Sequence, residues 1–210
     1  MTAPEATRTL TAKGRQTQAA IEQAARKLFA ERGFHGTTLA DITSAAGKSA
    51  AVFYRYYADK EDLLAALAES FLHDVVTPSG LSVDLPESPD DDAFFTSVVT
   101  GYWNIFKQNI GIMIAVAQLA ATQQRFATVQ NEFRRVGMDI VAASVLRAQE
   151  HGYASELNPE HIAAAIALLF ENFTTVFVAP SGAGSLGVEI SDDDAIATLS
   201  TVWKKTLYGA

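Results

Sequence analysis

An all-α fold is what this sequence predicts, and three observations predict it. Apolar residues recur at spacings of three and four along most of the chain, helix-capping signals stand where those runs begin and end, and no segment alternates as a strand does. The expected architecture is about nine helices, a small N-terminal three-helix domain followed by a larger helical bundle.

Each element has its own justification. From Lys13 to Arg32, Ile21, Ala24, Ala25, Leu28 and Phe29 form an apolar stripe, and Gly33 stands where a helix stop belongs. "TLADITSAAG" reads as a short helix capped by Thr38, with Asp41 completing a capping box and Gly47 closing it. "SAAVFYRYY" reads as a third helix behind the cap Ser49, with Val52, Phe53 and Tyr56 turned inward. Asp59 caps a fourth, whose stripe is Leu63, Leu64, Leu67 and Phe71. "TPSGLSVDLPESPDDD" is expected to be a mobile loop, rich in Pro, Ser and Gly. Beyond it, "AFFTSVVTGYWNIFKQN", "GIMIAVAQLAAT" and "RFATVQNEFRRVGMDIVAASVLRAQEHG" read as three helices. Asn158 followed by Pro159 starts another. "APSGAGSLGVEI" reads as a flexible loop. The last helix opens at Ser191 with Asp192, Asp193 and Asp194 in its first turn, where carboxylates complement the helix dipole, and Ile196, Leu199, Trp203 and Leu207 form its apolar side.

Composition narrows the class. The chain has 210 residues, 49% of them hydrophobic, so it can bury a substantial core. It has no cysteine, which excludes disulfides, thiolate metal sites and a cysteine nucleophile. No N-terminal apolar run reads as a signal peptide and no apolar stretch reaches the roughly 20 residues of a membrane span, so a cytoplasmic protein without a membrane partner is expected. The net charge of −8 conceals an asymmetry: residues 1–60 carry nine Lys/Arg against five Asp/Glu, and the rest carry seven against nineteen. A basic end on an acidic body suggests that the N-terminal part faces a polyanion.

That basic part contains two helices joined by a tight turn at Gly47, a helix-turn-helix, whose second helix can enter the DNA major groove. With Val52, Phe53 and Tyr56 packed on Ile21, Leu28, Leu39 and Ile42, the residues left outward are Ala50, Ala51, Tyr54 and Arg55. Lys60, in the first turn of a helix, opposes the macrodipole, a cost that a nearby phosphate would offset. The competing reading is a helical small-molecule or protein-binding module whose helix-turn-helix is structural. Steep weakening of specific binding by salt separates the two.

"GFHGTTLADITSAAGKSAAVFYRYYADKEDLL" resembles the DNA-binding region of the TetR family of transcriptional regulators, in its Gly-aromatic-x-x-Thr-Thr approach, its Ala-Gly turn, its aromatic-Tyr-x-Tyr-aromatic run and the Lys that follows. The close resemblance covers Ala20 to Leu64. It implies a homodimer that binds a palindromic double-stranded DNA operator and is released by a small molecule; a repressor is expected, with a hydrophobic effector suited to the aromatic C-terminal region. It places residues 1–60 in a DNA-binding domain, with a disordered start at about 1–12, and residues 61–210 in an effector-binding and dimerisation domain. Thr37 and Thr38 would approach phosphates, Ser49, Ala50, Ala51 and Tyr54 would sit in the groove, and Arg55, Tyr56 and Lys60 would lie on the backbone. Lys48 stands where the family usually has a small apolar residue, which implies an extra phosphate contact or an opened turn. Ala50 replaces what is often a longer polar residue, so base reading here is expected to use thymine methyls.

The C-terminal region is rich in aromatic residues. Most of them are expected to be packed core, and such cores also enclose apolar ligand cavities. The expected effector pocket draws on Tyr102, Trp103, Phe106, Met113, Phe126, Phe133, Phe170, Asn172 and Phe173, with Asn104, Gln118 and Glu171 as further polar candidates. Ala163, Ala164, Ala165 and Ala167 permit close helix approach, so the last two helices are the expected dimer contact. His35, His73, His151 and His161 are scattered, and no nucleophile arrangement, phosphate-binding glycine loop or zinc spacing occurs, so neither an enzyme nor a cofactor or metal is expected.

Overall fold

The computed structural model describes residues 11–76, 85, 86, 88–179 and 186–209. Those residues form nine helices and no strand. The expected loose start at 1–12 and the two expected flexible loops lie wholly or in large part outside the described residues.

Local chemistry sets most helix ends. α1 (Ala12–Arg32) begins where the Thr11 hydroxyl accepts from the Gly14 N–H and ends at Gly33, whose φ of 71° favours glycine. α2 (Leu39–Ala45) carries the full capping box: the Asp41 N–H donates to the Thr38 hydroxyl while the Asp41 carboxylate accepts from the Thr38 N–H. α3 is shorter than expected, spanning Ala50–Phe53, because the backbone tightens after it: Arg55 N–H reaches Val52 and Tyr56 N–H reaches Phe53. The buried side of this segment is therefore Phe53 with Tyr57, four residues on, while Val52 and Tyr56 are only half-buried. α4 (Lys60–Val76) starts on the Asp59 cap.

In the bundle, α5 (Asp92–Gln108) and α6 (Ile110–Ala120) meet at Asn109. α7 (Gln124–Glu150) is the longest helix, and α8 (Pro159–Val178) pairs with it along its length. α9 (Asp192–Tyr208) opens on Ser191 and packs on α5. Among the described residues α8 is the one helix long and apolar enough to cross a membrane, with a mean hydropathy of 1.6.

The buried residues form two cores. The first joins Ile21, Leu28, Ile42 and Phe53 to Leu63 and Leu67 of α4, Ile112 and Val116 of α6, and Phe126 of α7. The second joins Phe95 and Val99 of α5, Val145 of α7, Ile166 of α8 and Leu199 and Trp203 of α9. α6 thus packs directly on α1 and α4, the helices that flank the helix-turn-helix. Gly111 makes this possible, since a Cβ there would lie 2.5 Å from the backbone nitrogen of Ala30 and 2.6 Å from the carbonyl carbon of Phe29. Beside that contact the Arg26 guanidinium donates to Asn109 Oδ1 at 2.9 Å.

Candidate nucleic-acid interface and effector cavity

The helix-turn-helix is held by polar ties at both ends. Tyr57 fixes the end of the α3 segment to α1, donating to Glu22 at 2.6 Å and accepting from Gln18 at 3.1 Å. Burial, with the Glu22 carboxylate beside it, raises the phenol pKa, so the group stays protonated at neutral pH. At the other end, the Thr38 hydroxyl and N–H hold the Asp41 carboxyl below its ordinary range, with Arg32 at 3.7 Å adding to the effect.

The residues expected to meet DNA fall into two groups. Ala50, Ala51, Tyr54 and Arg55 are exposed on one side of the α3 segment, and Ser49 and Thr38 are exposed at the helix starts. Tyr54, at 60% exposure, is the only large apolar side chain so open among the described residues before α5, and its ring is steadied edge-on by Phe53. Lys48 is half-buried in the turn. Thr37, Lys60 and Tyr56 are differently placed. Thr37 is 1% exposed, its hydroxyl donating to the Gly33 carbonyl at 2.8 Å, so its side chain braces the end of α1. The Lys60 ammonium donates to the carbonyls of Phe34 at 2.6 Å and Thr37 at 2.7 Å and sits 4.2 Å above the Phe34 ring. The compensation for a lysine in a helix's first turn therefore lies inside the chain, in two carbonyls and a ring face. Tyr56 packs its ring against the first core.

Between α4, α5, α7 and α8 lies a cavity of about 440 Å³. Of the nine residues expected to form a pocket, Tyr102, Phe106, Met113, Phe133 and Phe170 line it. The other four do not. Trp103 is buried in the second core, its indole N–H donating to Asp192 at 3.0 Å. Phe126 is fully buried in the first core, Phe173 stacks on Phe177, and Asn172 points to solvent. Asn104 and Gln118 are exposed as well, whereas Glu171 does line the cavity. Among the wall residues that sequence reasoning missed are Phe71, Gly137, Ile140, Trp203, Gln130 and Arg134. Gly137 carried a readable signal, since a glycine inside a helix costs about 1 kcal/mol relative to alanine and so marks a space that is needed.

The polar part of the wall is one ion pair. Arg134 donates to both oxygens of Glu171, from Nε at 2.6 Å and from Nη2 at 2.9 Å, and Gln130 donates to the same carboxylate at 3.0 Å. Tyr102 turns its ring to the cavity while its hydroxyl is buried beside the Thr174 hydroxyl. Among the described residues no group of His, Cys, Asp and Glu could hold a metal ion.

An all-helical chain with an exposed recognition helix braced on a bundle is a helix-turn-helix DNA-binding protein in its build. Residues 21–67 match the profile of the bacterial regulatory proteins of the tetR family. The chain is 22% identical over 206 residues to the HTH-type transcriptional regulator EthR of Mycobacterium tuberculosis, spanning 98% of this chain and 94% of that one. To the HTH-type transcriptional repressor KstR2 of Rhodococcus jostii it is 28% identical, over 76% of this chain and 78% of that one. The crystal structure of FadR from Bacillus subtilis superposes with a TM-score of 0.64 at 17% identity, over 91% of this chain and 98% of that one. The match covers the helix-turn-helix, so residues 21–67 carry the DNA-binding region of the TetR family of transcriptional regulators.

Proposed function

We propose that this regulator is a cytoplasmic repressor that binds a palindromic operator as a homodimer and leaves it when a small apolar effector fills the cavity. The observation that carries the reading is the cavity itself, whose size and largely apolar wall suit a small-molecule site. The Bacillus subtilis FadR structure was solved in complex with stearoyl-CoA, which supports a small-molecule ligand for a protein of this fold.

In this reading residues 1–60 read DNA and residues 61–210 bind effector and dimerise. Ser49, Ala50, Ala51 and Tyr54 enter the groove, while Thr38, Lys48 and Arg55 meet phosphates. Thr37, Tyr56 and Lys60 support that surface from behind, with any phosphate contact left to the spare N–H of Lys60 and to backbone groups. The route from effector to DNA runs along α4. Phe71 lines the cavity, against Phe133 at 4.7 Å, and Lys60 at the other end holds the turn before α2. A shift of α4 changes the separation of two recognition helices that must stand about 34–36 Å apart, or a multiple, to enter a two-fold site. For the dimer, α8 presents Leu168 at 49% and Leu169 at 42% exposure, and α9 presents Val202, apolar area that a second copy would cover.

Selection of bound fragments from a genomic DNA pool tests the reading. The expected product is a palindrome whose binding weakens steeply with salt and, at one or two positions per half-site, on replacing thymine by uracil. Recovery of no preferred sequence at any salt concentration would sink it.

A further inference from the structure

The cavity's charges are already spent on each other. Arg134 and Glu171 are the lining residues that carry full charge at neutral pH among those described, and they form a two-point pair. The third nitrogen of the guanidinium, Nη1, donates to Asn131 at 3.3 Å, and Gln130 adds a donor to Glu171. The Glu171 carboxylate thus accepts three hydrogen bonds and holds the arginine's charge neutral. What remains for a guest is two N–H groups of Arg134, from five in all, and the side-chain oxygen of Gln130, to which no described residue donates.

Building on the effector-site reading above, we propose that the cavity selects uncharged amphiphiles, an apolar body ending in an ester, amide, ketone or hydroxyl, and rejects the matching carboxylates and amines. The apolar wall formed by Phe106, Met113, Phe133, Ile140 and Phe170 takes the body. A neutral oxygen can accept from the spare guanidinium N–H groups, and a hydroxyl can also donate to Gln130. A carboxylate entering the same end loses its hydration and lies beside Glu171 with no free counter-charge to pair it, or must displace Glu171 from Arg134. An ammonium meets the same difficulty against Arg134. The pair therefore works as a filter on charge, and removing one member should invert it.

The test uses matched probes on one alkyl chain: lauryl alcohol, methyl laurate, laurate and lauryl amine, at pH 8 and below their aggregation concentrations. Binding is read from tryptophan fluorescence, to which Trp203 of the cavity wall contributes together with the buried Trp103. The alcohol and the ester should bind, with the acid and the amine weaker by about tenfold or more. Glu171→Gln frees the cation and should bring laurate to equal or exceed the ester. The comparison on the unsubstituted protein stands even if that variant folds poorly. Laurate binding as tightly as the ester there overturns the proposal while leaving the site intact. If no probe binds, or if ester binding survives Gly137→Leu, which fills the space, the effector-site reading itself falls and the filter with it.

Discussion

The helix-turn-helix end and the bundle of α5, α7, α8 and α9 bury their apolar groups by opposite means. The core that α1 to α4 share with α6 and the start of α7 is tightly filled: Ile21, Ile42, Phe53, Leu63 and Leu67 are fully buried, and the buried hydroxyl of Thr37 has partners. The bundle leaves a cavity of about 440 Å³, a buried Ser200 hydroxyl without a hydrogen-bond partner among the described residues, and a series of exposed apolar side chains that includes Leu146, Leu168 and Leu169. The difference teaches where change is allowed. A reader of DNA must present Ala50, Ala51 and Tyr54 in one geometry, while a sensor must exchange contents and neighbours. α6 joins the two, with Gly111 pressed on α1 and Met113 on the cavity wall.

Two glycines inside helices test that contrast with opposite signs. Gly111→Ala drives a methyl into the backbone of α1 and should cost about 1–3 kcal/mol, read by denaturant unfolding. Gly137→Ala has only the Ala167 Cβ within reach, at 3.9 Å, and should stabilise by about 0.5–1 kcal/mol through the backbone entropy of the unfolded chain. Equal effects of the same sign would erase the distinction between a closed joint and an open wall.

A smaller effect concerns acid. Asp41 at the DNA end and Asp192 in the bundle both have carboxyls held below the ordinary value of 3.8, the first chiefly by Thr38 and the second by Lys107 and Trp103. A depressed pKa means that the unfolded chain binds the proton first, so each contributes stability above the ordinary value that is lost as pH falls through the folded one. Asp41→Asn and Asp192→Asn should each flatten the fall in unfolding temperature below that pH. Asp41→Asn should also loosen the start of α2, seen as faster amide exchange there, and Asp192→Asn should not.

Much of this was legible because it is local. The Thr38–Asp41 box, Asn158 with Pro159, and Ser191 with its three aspartates mark helix starts through groups only three residues apart, and Gly47 marks the turn by its positive φ. The outward set Ala50, Ala51, Tyr54 and Arg55 follows from periodicity alone. The cavity wall was half legible for the converse reason. α6 and α8 are apolar nearly all round, so periodicity does not say which face turns inward. Glu171 and Asn172 are neighbours that a helix separates by about 100°, and one lines the cavity while the other meets solvent. Arg134 and Glu171 are 37 positions apart, a pairing that no spacing rule reveals. Lys60 was noticed as a charge in the wrong place, but its partners are backbone carbonyls, which every residue has and no sequence pattern marks.

The most direct measurement follows operator and cavity together. A labelled operator fragment bound to the Trp103→Phe protein, whose one remaining tryptophan is Trp203, is titrated with an uncharged apolar probe, with fluorescence anisotropy reporting the DNA and Trp203 emission reporting the cavity. The account predicts that the fragment leaves in step with filling of the cavity. A probe that saturates the Trp203 signal while the fragment stays bound would contradict it.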